Sequence, residues 1–146
     1  MNFEAEVRIA RPIEAVFEYV SDPVTFPRWN SAVQAVRKTS EREKTVGSAY
    51  SMERELPRGR VENDLVVEAF EHAREFTIRT TSGPTPFVYR YLFSSEAGET
   101  AVRLEAQVEL DGAASLLGPL ARRAVKAGVE ANFATLKQIL EADHAG

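Results

Sequence analysis

The sequence predicts an α+β domain in which an antiparallel sheet packs against one long C-terminal helix. Apolar and polar residues alternate over most of the chain, which is the period of a half-buried strand. Short segments rich in Gly and Pro separate successive alternating stretches, as the turns of hairpins do. From about Ser115 to Asp143 the pattern changes to helical spacing, so the chain ends in a helix.

Composition limits the function classes before any motif is considered. The 146 residues suit one domain, 1–146, because halves of that length would have poor cores. The absence of cysteine excludes disulfides, cysteine-bound zinc, iron–sulfur clusters and thiol nucleophiles. A net charge of −4 offers no excess of cations for phosphates, so we expect no nucleic-acid partner.

The sequence also predicts a cytoplasmic protein. No apolar run approaches the roughly 20 residues of a membrane helix, so we expect no membrane insertion. The segment from Met1 to Glu6 alternates and carries acids, unlike a signal peptide.

The first element is a strand, and two short helices follow it. Apolar residues fall on one face of the strand and charged ones on the other: Phe3, Ala5, Val7 and Ile9 against Glu4, Glu6 and Arg8. Pro12 suits the first position of a helix, and Val16 and Val20 follow at helical spacing. Pro23 ends that helix, and a second runs to about Trp29.

Six more strands are expected, with hairpin turns at 56–60, 82–86 and 95–99. Their predicted bounds are Val33 to Arg37, Val46 to Met52, Val61 to Ala69, Phe76 to Thr80, Phe87 to Phe93 and Val102 to Leu110. The third of these places Val61, Asn63, Leu65, Val67 and Ala69 on one face.

The C-terminal helix carries a wide apolar arc, so it is expected to cross the sheet. At 100° per residue one face collects Leu117, Leu120, Ala121, Ala124, Val125, Gly128, Val129, Asn132, Phe133, Leu136, Ile139 and Leu140. The opposite face carries Arg123, Lys126, Glu130, Lys137 and Glu141.

This order of elements resembles the START-like superfamily, also called SRPBCC or birch-pollen-allergen-like. Five segments are similar to its polyketide cyclase/dehydrase-like branch: Ile9 to Phe17, Ser21-Asp22-Pro23 with Trp29 after it, Val46-Gly47, Glu99 to Val102 and Leu136 to Glu141. The resemblance implies a helix-grip fold, in which a curved seven-stranded antiparallel sheet wraps around the long C-terminal helix.

The resemblance further implies a cavity for a lipid, sterol, polyketide or similar hydrophobic or amphipathic molecule. We expect no cofactor and no metal, since His72 and His144 are isolated. Inward positions on the strands and the helix give the candidate ligand-binding residues: Tyr50, Met52, Asn63, Leu65, Phe76, Ile78, Thr80, Tyr89, Tyr91, Leu117, Ala121, Val125, Gly128 and Asn132.

Several of these positions, and two arginines, have alternative interpretations. Asn132 either orients a ligand or makes a structural hydrogen bond to a strand or loop. Gly128 either admits a close strand or leaves room for a ligand. Asn63 and Thr80 each either face the cavity or lie at the rim of the sheet, and the strand tyrosines either belong to the core or line the site. Arg54 follows Met52 at period two and is a candidate cation at the cavity mouth, whereas Arg90 should point outward.

Three functions remain open on the sequence. The favoured one is binding of a hydrophobic small molecule. The alternative is a polyketide cyclase or dehydratase, which needs a general base that the sequence does not supply at an inward position. The third is protein interaction, including a homodimer, through outward Val88 and Leu92.

Overall fold

A computed structural model describes residues 1–42, 44–56, 59–110, 116 and 118–145. Within these residues, seven strands and three helices follow one another in the predicted order. Their bounds are β1 (Asn2–Ile9), α1 (Ile13–Val20), a 3-10 turn (Pro23–Thr25), α2 (Phe26–Trp29), β2 (Val33–Lys38), β3 (Ala49–Leu56), β4 (Gly59–Glu71), β5 (Glu75–Ser82), β6 (Phe87–Glu96), β7 (Glu99–Val108) and α3 (Pro119–Ala145).

The strands form one antiparallel sheet in the order β1-β7-β6-β5-β4-β3-β2. Each of the strands β2 to β6 pairs with the next strand along the chain, so β2 to β7 make a continuous meander. Strand β1 pairs with β7 and forms one edge of the sheet, with Asn2 opposite Gln107 and Ile9 opposite Thr100. The chain must therefore cross from one sheet edge to the other between β1 and β2, and the short helices make that crossing.

Local sequence explains the two short helices. Pro12 precedes α1, and Val16, Phe17 and Val20 form its buried face. The Asp22 carboxylate accepts a hydrogen bond from the Val24 backbone N–H, which caps the 3-10 turn before α2. Trp29, at the end of α2, stacks on Phe133 of α3 with ring centroids 6.3 Å apart.

The core lies between the inward face of the sheet and α3. Each strand contributes alternate residues, such as Leu65 and Val67 of β4 and Val102 and Leu104 of β7, which are almost fully buried. Phe133, Leu136 and Leu140 of α3 pack onto this layer. The observed architecture is the helix-grip fold that the resemblance implied, and this prediction is confirmed.

Three local details of the sequence prediction are wrong. Strand β3 begins at Ala49 rather than Val46, because Gly47 adopts φ +91° and turns the chain. The register of β4 shifts between Val67 and Ala69, a bulge that removes Ala69 from the inward face and brings Phe70 there. Leu120 is 66% exposed because it lies about 140° from Val125 around the helix, outside the true apolar arc.

Candidate ligand-binding cavity

A cavity of about 660 Å³ lies between the N-terminal half of α3 and the sheet. Along the C-terminal half, α3 is packed directly on the core through Phe133 and Leu136. Along residues 119–132 the helix keeps its inward side chains only half-buried, as at Val125 and Val129. The sheet side chains beneath them do not fill the intervening space, which leaves the cavity.

The walls of the cavity are largely apolar. Aromatic and aliphatic side chains from the strands form one wall, and small residues of α3 form the other. The lining residues are Phe26, Asn30, Ser31, Ala32, Val33, Met52, Arg54, Leu56, Val61, Ile78, Pro84, Thr85, Phe87, Tyr89, Tyr91, Val108, Leu110, Ala121, Ala124, Val125, Gly128, Val129 and Asn132.

The structure brings eight of the fourteen candidate residues to this cavity. These eight are Met52, Ile78, Tyr89, Tyr91, Ala121, Val125, Gly128 and Asn132. Five other candidates lie behind the lining rather than in it: Tyr50, Asn63, Leu65, Phe76 and Thr80. The remaining candidate, Leu117, lies outside the described residues.

The five residues behind the lining support the cavity wall. Phe76 is fully buried and stacks under Tyr91, with ring centroids 6.1 Å apart. The Thr80 hydroxyl accepts a hydrogen bond from the Phe87 backbone N–H at 3.0 Å and so closes the β5–β6 hairpin. Leu65 and Tyr50 are core residues of β4 and β3, and they pair opposite each other.

Asn63 is fully buried, and its side chain is saturated by protein partners. Its Nδ2 donates to the carbonyl oxygens of Ser82 and Pro84 at 3.1 and 2.9 Å. Its Oδ1 accepts from Nε of Arg54 at 2.9 Å. Asn63 therefore positions Arg54 and the β5–β6 loop, and neither of its predicted places, facing the cavity or at the rim, is observed.

Gly128 faces open space in the cavity. A Cβ atom placed on it would meet no other atom within 4 Å, so no strand approaches this point of the helix. The sequence left two interpretations of Gly128, close approach of a strand and room for a ligand, and the first is not observed. The missing side chain leaves volume inside the cavity instead.

Asn132 closes one end of the cavity with a small polar network. Its Oδ1 accepts from the Ser31 backbone N–H at 3.2 Å, and its Nδ2 donates to Oδ1 of Asn30 at 3.2 Å. These bonds tie α3 to the loop between α2 and β2. The structural alternative for Asn132 is therefore observed, although the residue also lines the cavity.

Arg54 lies in the strand wall of the cavity. Its Nη2 donates to the carbonyl oxygens of Pro84 and Thr85 at 3.0 and 3.2 Å. Its guanidinium carbon sits 5.3 Å from the centroid of the Phe87 ring, a cation–π distance. Burial lowers the pKa of Arg54, although nearby Tyr89 partly opposes the effect. The group nevertheless remains a cation at neutral pH, because a guanidinium is not deprotonated in proteins.

Two tyrosines add hydroxyl groups to the aromatic part of the wall. Burial raises the pKa of Tyr89, an effect that Arg54 partly opposes, and burial raises the pKa of Tyr91 far above its usual range. Both phenols therefore stay protonated at neutral pH and can donate hydrogen bonds. Among the described residues the Tyr91 hydroxyl has no hydrogen-bond partner, so it is free to bond a ligand.

The lining is poor in groups that act as general bases. Within the described part of the chain no aspartate, glutamate or histidine reaches the cavity, and Arg54 is the one charged lining residue. The same residues contain no group of three potential ligands for a metal ion. Arg90, as expected, points outward and pairs with Glu75 and Glu105.

Sequence reasoning missed part of the lining. Leu56 and Val61 continue the inward faces of β3 and β4 to the end of their hairpin, and the alternation could have included them. Asn30, Ser31 and Thr85 reach the cavity from loops, where no period marks the direction of a side chain.

A family model described as polyketide cyclase/dehydrase and lipid transport matches residues 1–141. The chain belongs to this family. A comparison with curated proteins finds no significant sequence match. No helix within the described residues combines the length and apolar character needed to span a membrane.

Solved structures of low sequence identity share the fold of this chain. TTHA0849 from Thermus thermophilus superposes with a TM-score of 0.83 at 17% identity, over 98% of this chain and 99% of that one. A START superfamily protein from Mycobacterium smegmatis gives 0.80 at 15% identity, over 97% of each chain. The Zhui aromatase/cyclase from Streptomyces sp. R1128 gives 0.74 at 11% identity, over 97% and 93%.

Proposed function

We propose that residues 1–146 form one domain that binds a hydrophobic or amphipathic small molecule, such as a lipid, a sterol or a polyketide-like compound. The observation that carries the proposal is the cavity of about 660 Å³ under the N-terminal half of α3. Pockets of roughly 300–1,000 Å³ with mostly apolar walls are typical of sites for small organic molecules.

The energetics of the cavity support the same conclusion. Apolar walls gain about 25 cal/mol for each Å² that a ligand removes from water. An unfilled space of this size forgoes those contacts, as well as the dispersion contacts that a packed core would make. The small side chains of Ala121, Ala124 and Gly128 keep the space open, and larger ones at the same positions would fill it.

A cavity-filling variant tests the proposal. Gly128→Leu places a side chain into open space and replaces a helical glycine, so the protein should fold at least as stably as the wild type. Nile red, an uncharged apolar probe, should bind the wild type and bind Gly128→Leu at least tenfold more weakly. Ala127→Leu is the matched control, because Ala127 is exposed on the outward face of α3.

Fluorescence titration of the three proteins gives the probe affinities, and native mass spectrometry reports any co-purified molecule. Equal affinity of Nile red for the wild type and for Gly128→Leu would contradict binding in this cavity. So would an equal loss of affinity in Ala127→Leu, because that side chain lies on the opposite face of the helix.

An enzyme of the cyclase or dehydratase type is the second candidate. Arg54, Tyr89 and Tyr91 supply a cation and two phenol donors on one wall, the groups that would stabilise an enolate. Binding without turnover is preferred because no described lining residue is a base suited to neutral pH. Incubation with a poly-β-keto thioester separates the two functions: loss of water detected by mass spectrometry would favour the enzyme.

A further inference from the structure

We propose that the ligand of this cavity carries an anionic group, a carboxylate or an enolate, which binds to the guanidinium of Arg54 while its apolar body lies under α3. The inference rests on the proposed binding function and names the class of molecule. The observation behind it is a cation in an apolar wall that has no anionic partner among the described residues.

Arg54 differs from every other described strand arginine. Each of the seven strands carries one arginine, and six of them pair with a glutamate at 3.1–3.7 Å: Arg8, Arg37, Arg60, Arg79, Arg90 and Arg103. Those six are on the outer face or at the hairpin and are well exposed. Arg54 is the inward member of the set, and it has no carboxylate partner within the part of the chain that the structure describes.

Burying a cation without a counter-ion is unfavourable, and the protein offsets this only with neutral groups. Asn63 Oδ1 and two loop carbonyls accept from Nε and Nη2, and the Phe87 ring lies against the guanidinium. These partners carry partial charges and do not neutralise Arg54. An anion in the cavity would supply the missing charge and would form a charge-assisted hydrogen bond.

The existing bonds hold the guanidinium in a fixed orientation. Nε and Nη2 are engaged, whereas Nη1 donates to no described residue. Asn63 is itself held by Ser82 and Pro84. The loop between Ser82 and Pro84 depends on Gly83, which has φ +100° and whose added Cβ would collide with the Glu62 carbonyl oxygen. A donor fixed in this way loses little entropy when it binds a ligand.

The neighbouring groups favour an anion as well. Tyr89 is the titratable side chain that interacts with Arg54, and its phenol remains neutral because burial raises its pKa. No described aspartate or glutamate lines the cavity and would repel a carboxylate. Opposite this wall, Val125 and Gly128 of α3 offer an apolar surface for the body of the molecule.

The test compares each acid with its own uncharged methyl ester. Dodecanoate and methyl dodecanoate form an aliphatic pair, and anthracene-2-carboxylate and its methyl ester form an aromatic pair. Displacement of Nile red at pH 7.5 gives the four affinities. At least one acid should bind the wild type roughly ten- to a hundredfold more tightly than its ester, the range expected for a hydrogen bond to a charged group.

Three variants assign that preference to Arg54. Arg54→Met should abolish the preference for the acid while Nile red still binds. Arg54→Lys keeps the charge but loses the planar fork, so it should retain part of the preference. Arg79→Met is the matched control, because this outward arginine pairs with Glu68 on the other face of the sheet, and it should behave as the wild type.

Several results would overturn the inference. Equal affinities within both pairs for the wild type would do so, and if Nile red still binds, the proposed cavity function would survive. An undiminished preference in Arg54→Met would also overturn it. If the probe, the acids and the esters all fail to bind, the proposed function falls together with the inference.

Discussion

The two halves of α3 carry the same apolar stripe and meet different surroundings. In the C-terminal half, Phe133, Leu136 and Leu140 are buried against the sheet. Polar contacts fix the same half to the end of β1: Lys137 Nζ donates to the Arg8 carbonyl oxygen, and the Ala10 backbone N–H donates to Glu141, both at 2.8 Å.

Before Asn132, the N-terminal half makes no such polar contacts with the strands within the described residues. Its inward side chains are small or half-buried, and they face the cavity instead of other side chains. The C-terminal half of α3, residues 133–145, therefore attaches the helix to the sheet, and we call it the anchoring half or anchor. The N-terminal half, residues 119–131, covers the cavity, and we call it the roof half or roof. Stability should therefore depend on the C-terminal half, and ligand binding on the N-terminal half.

The largest expected effect is a loss of stability in the anchoring half. Phe133 is 2% exposed and touches the rings of Trp29 and Tyr91, so Phe133→Ala should lower the free energy of unfolding by about 3–5 kcal/mol. Val129→Ala, one turn earlier and facing the cavity, should cost about 1 kcal/mol or less.

Urea denaturation of the two variants measures the difference between the halves. Equal losses would mean that the N-terminal half packs as tightly as the C-terminal half in solution. The distinction between anchor and roof would then be wrong, because Val129 would be a core residue.

Asn132 lies at the boundary of the two halves, so it should affect both properties. Asn132→Leu removes the hydrogen bonds to Asn30 and Ser31, which should cost about 1–2 kcal/mol and leave the fold intact. It also makes that end of the cavity apolar. Ligands with a hydroxyl or a carbonyl at that end should therefore lose affinity relative to hydrocarbons.

Circular dichroism and a ligand panel separate these effects. Wild-type affinities for every member of the panel would show that Asn132 only joins the helix to the loop. The structural bonds would then be its whole role.

The fold was predictable because the alternation along the strands and the spacing along α3 are strong and consistent signals. Strand β7 shows this best, since Val102, Leu104, Ala106 and Val108 are all buried as predicted. The bulge in β4 was not predictable, because one extra residue after Val67 leaves no mark in an alternating pattern and yet exchanges the faces beyond it.

The site was less predictable than the fold, for a physical reason. An apolar residue that faces a cavity and one that faces a packed side chain look alike on a helical wheel, as Val125 and Leu136 do. Arg54 shows the opposite difficulty. The inward direction of Arg54 followed from the period of β3. Its hydrogen-bond partners, however, are Asn63 of β4 and the carbonyl oxygen of Pro84, and no local sequence pattern indicates that these groups meet Arg54.

The smallest expected effect concerns the polar attachment of the anchoring half. Its hydrogen bonds from Lys137 and from the Ala10 backbone N–H lower the pKa of Glu141. A carboxyl group whose pKa is lower in the folded than in the unfolded state stabilises the fold at neutral pH, and that contribution is lost as the pH falls through its folded pKa.

Glu141→Gln should therefore cost about 0.5 kcal/mol or less at pH 7, since the pair is partly exposed. The difference from the wild type should shrink as the pH falls below the ordinary pKa of a glutamate, about 4.3, and should disappear only below the lowered pKa of the folded state. Glu130→Gln, on the roof half and without an ion pair to a described residue, should change stability at neither pH. Urea denaturation at pH 7 and pH 3.5 measures the stability of both variants. An equal loss of stability in Glu141→Gln and Glu130→Gln would contradict a stabilising role for the Glu141 hydrogen bonds.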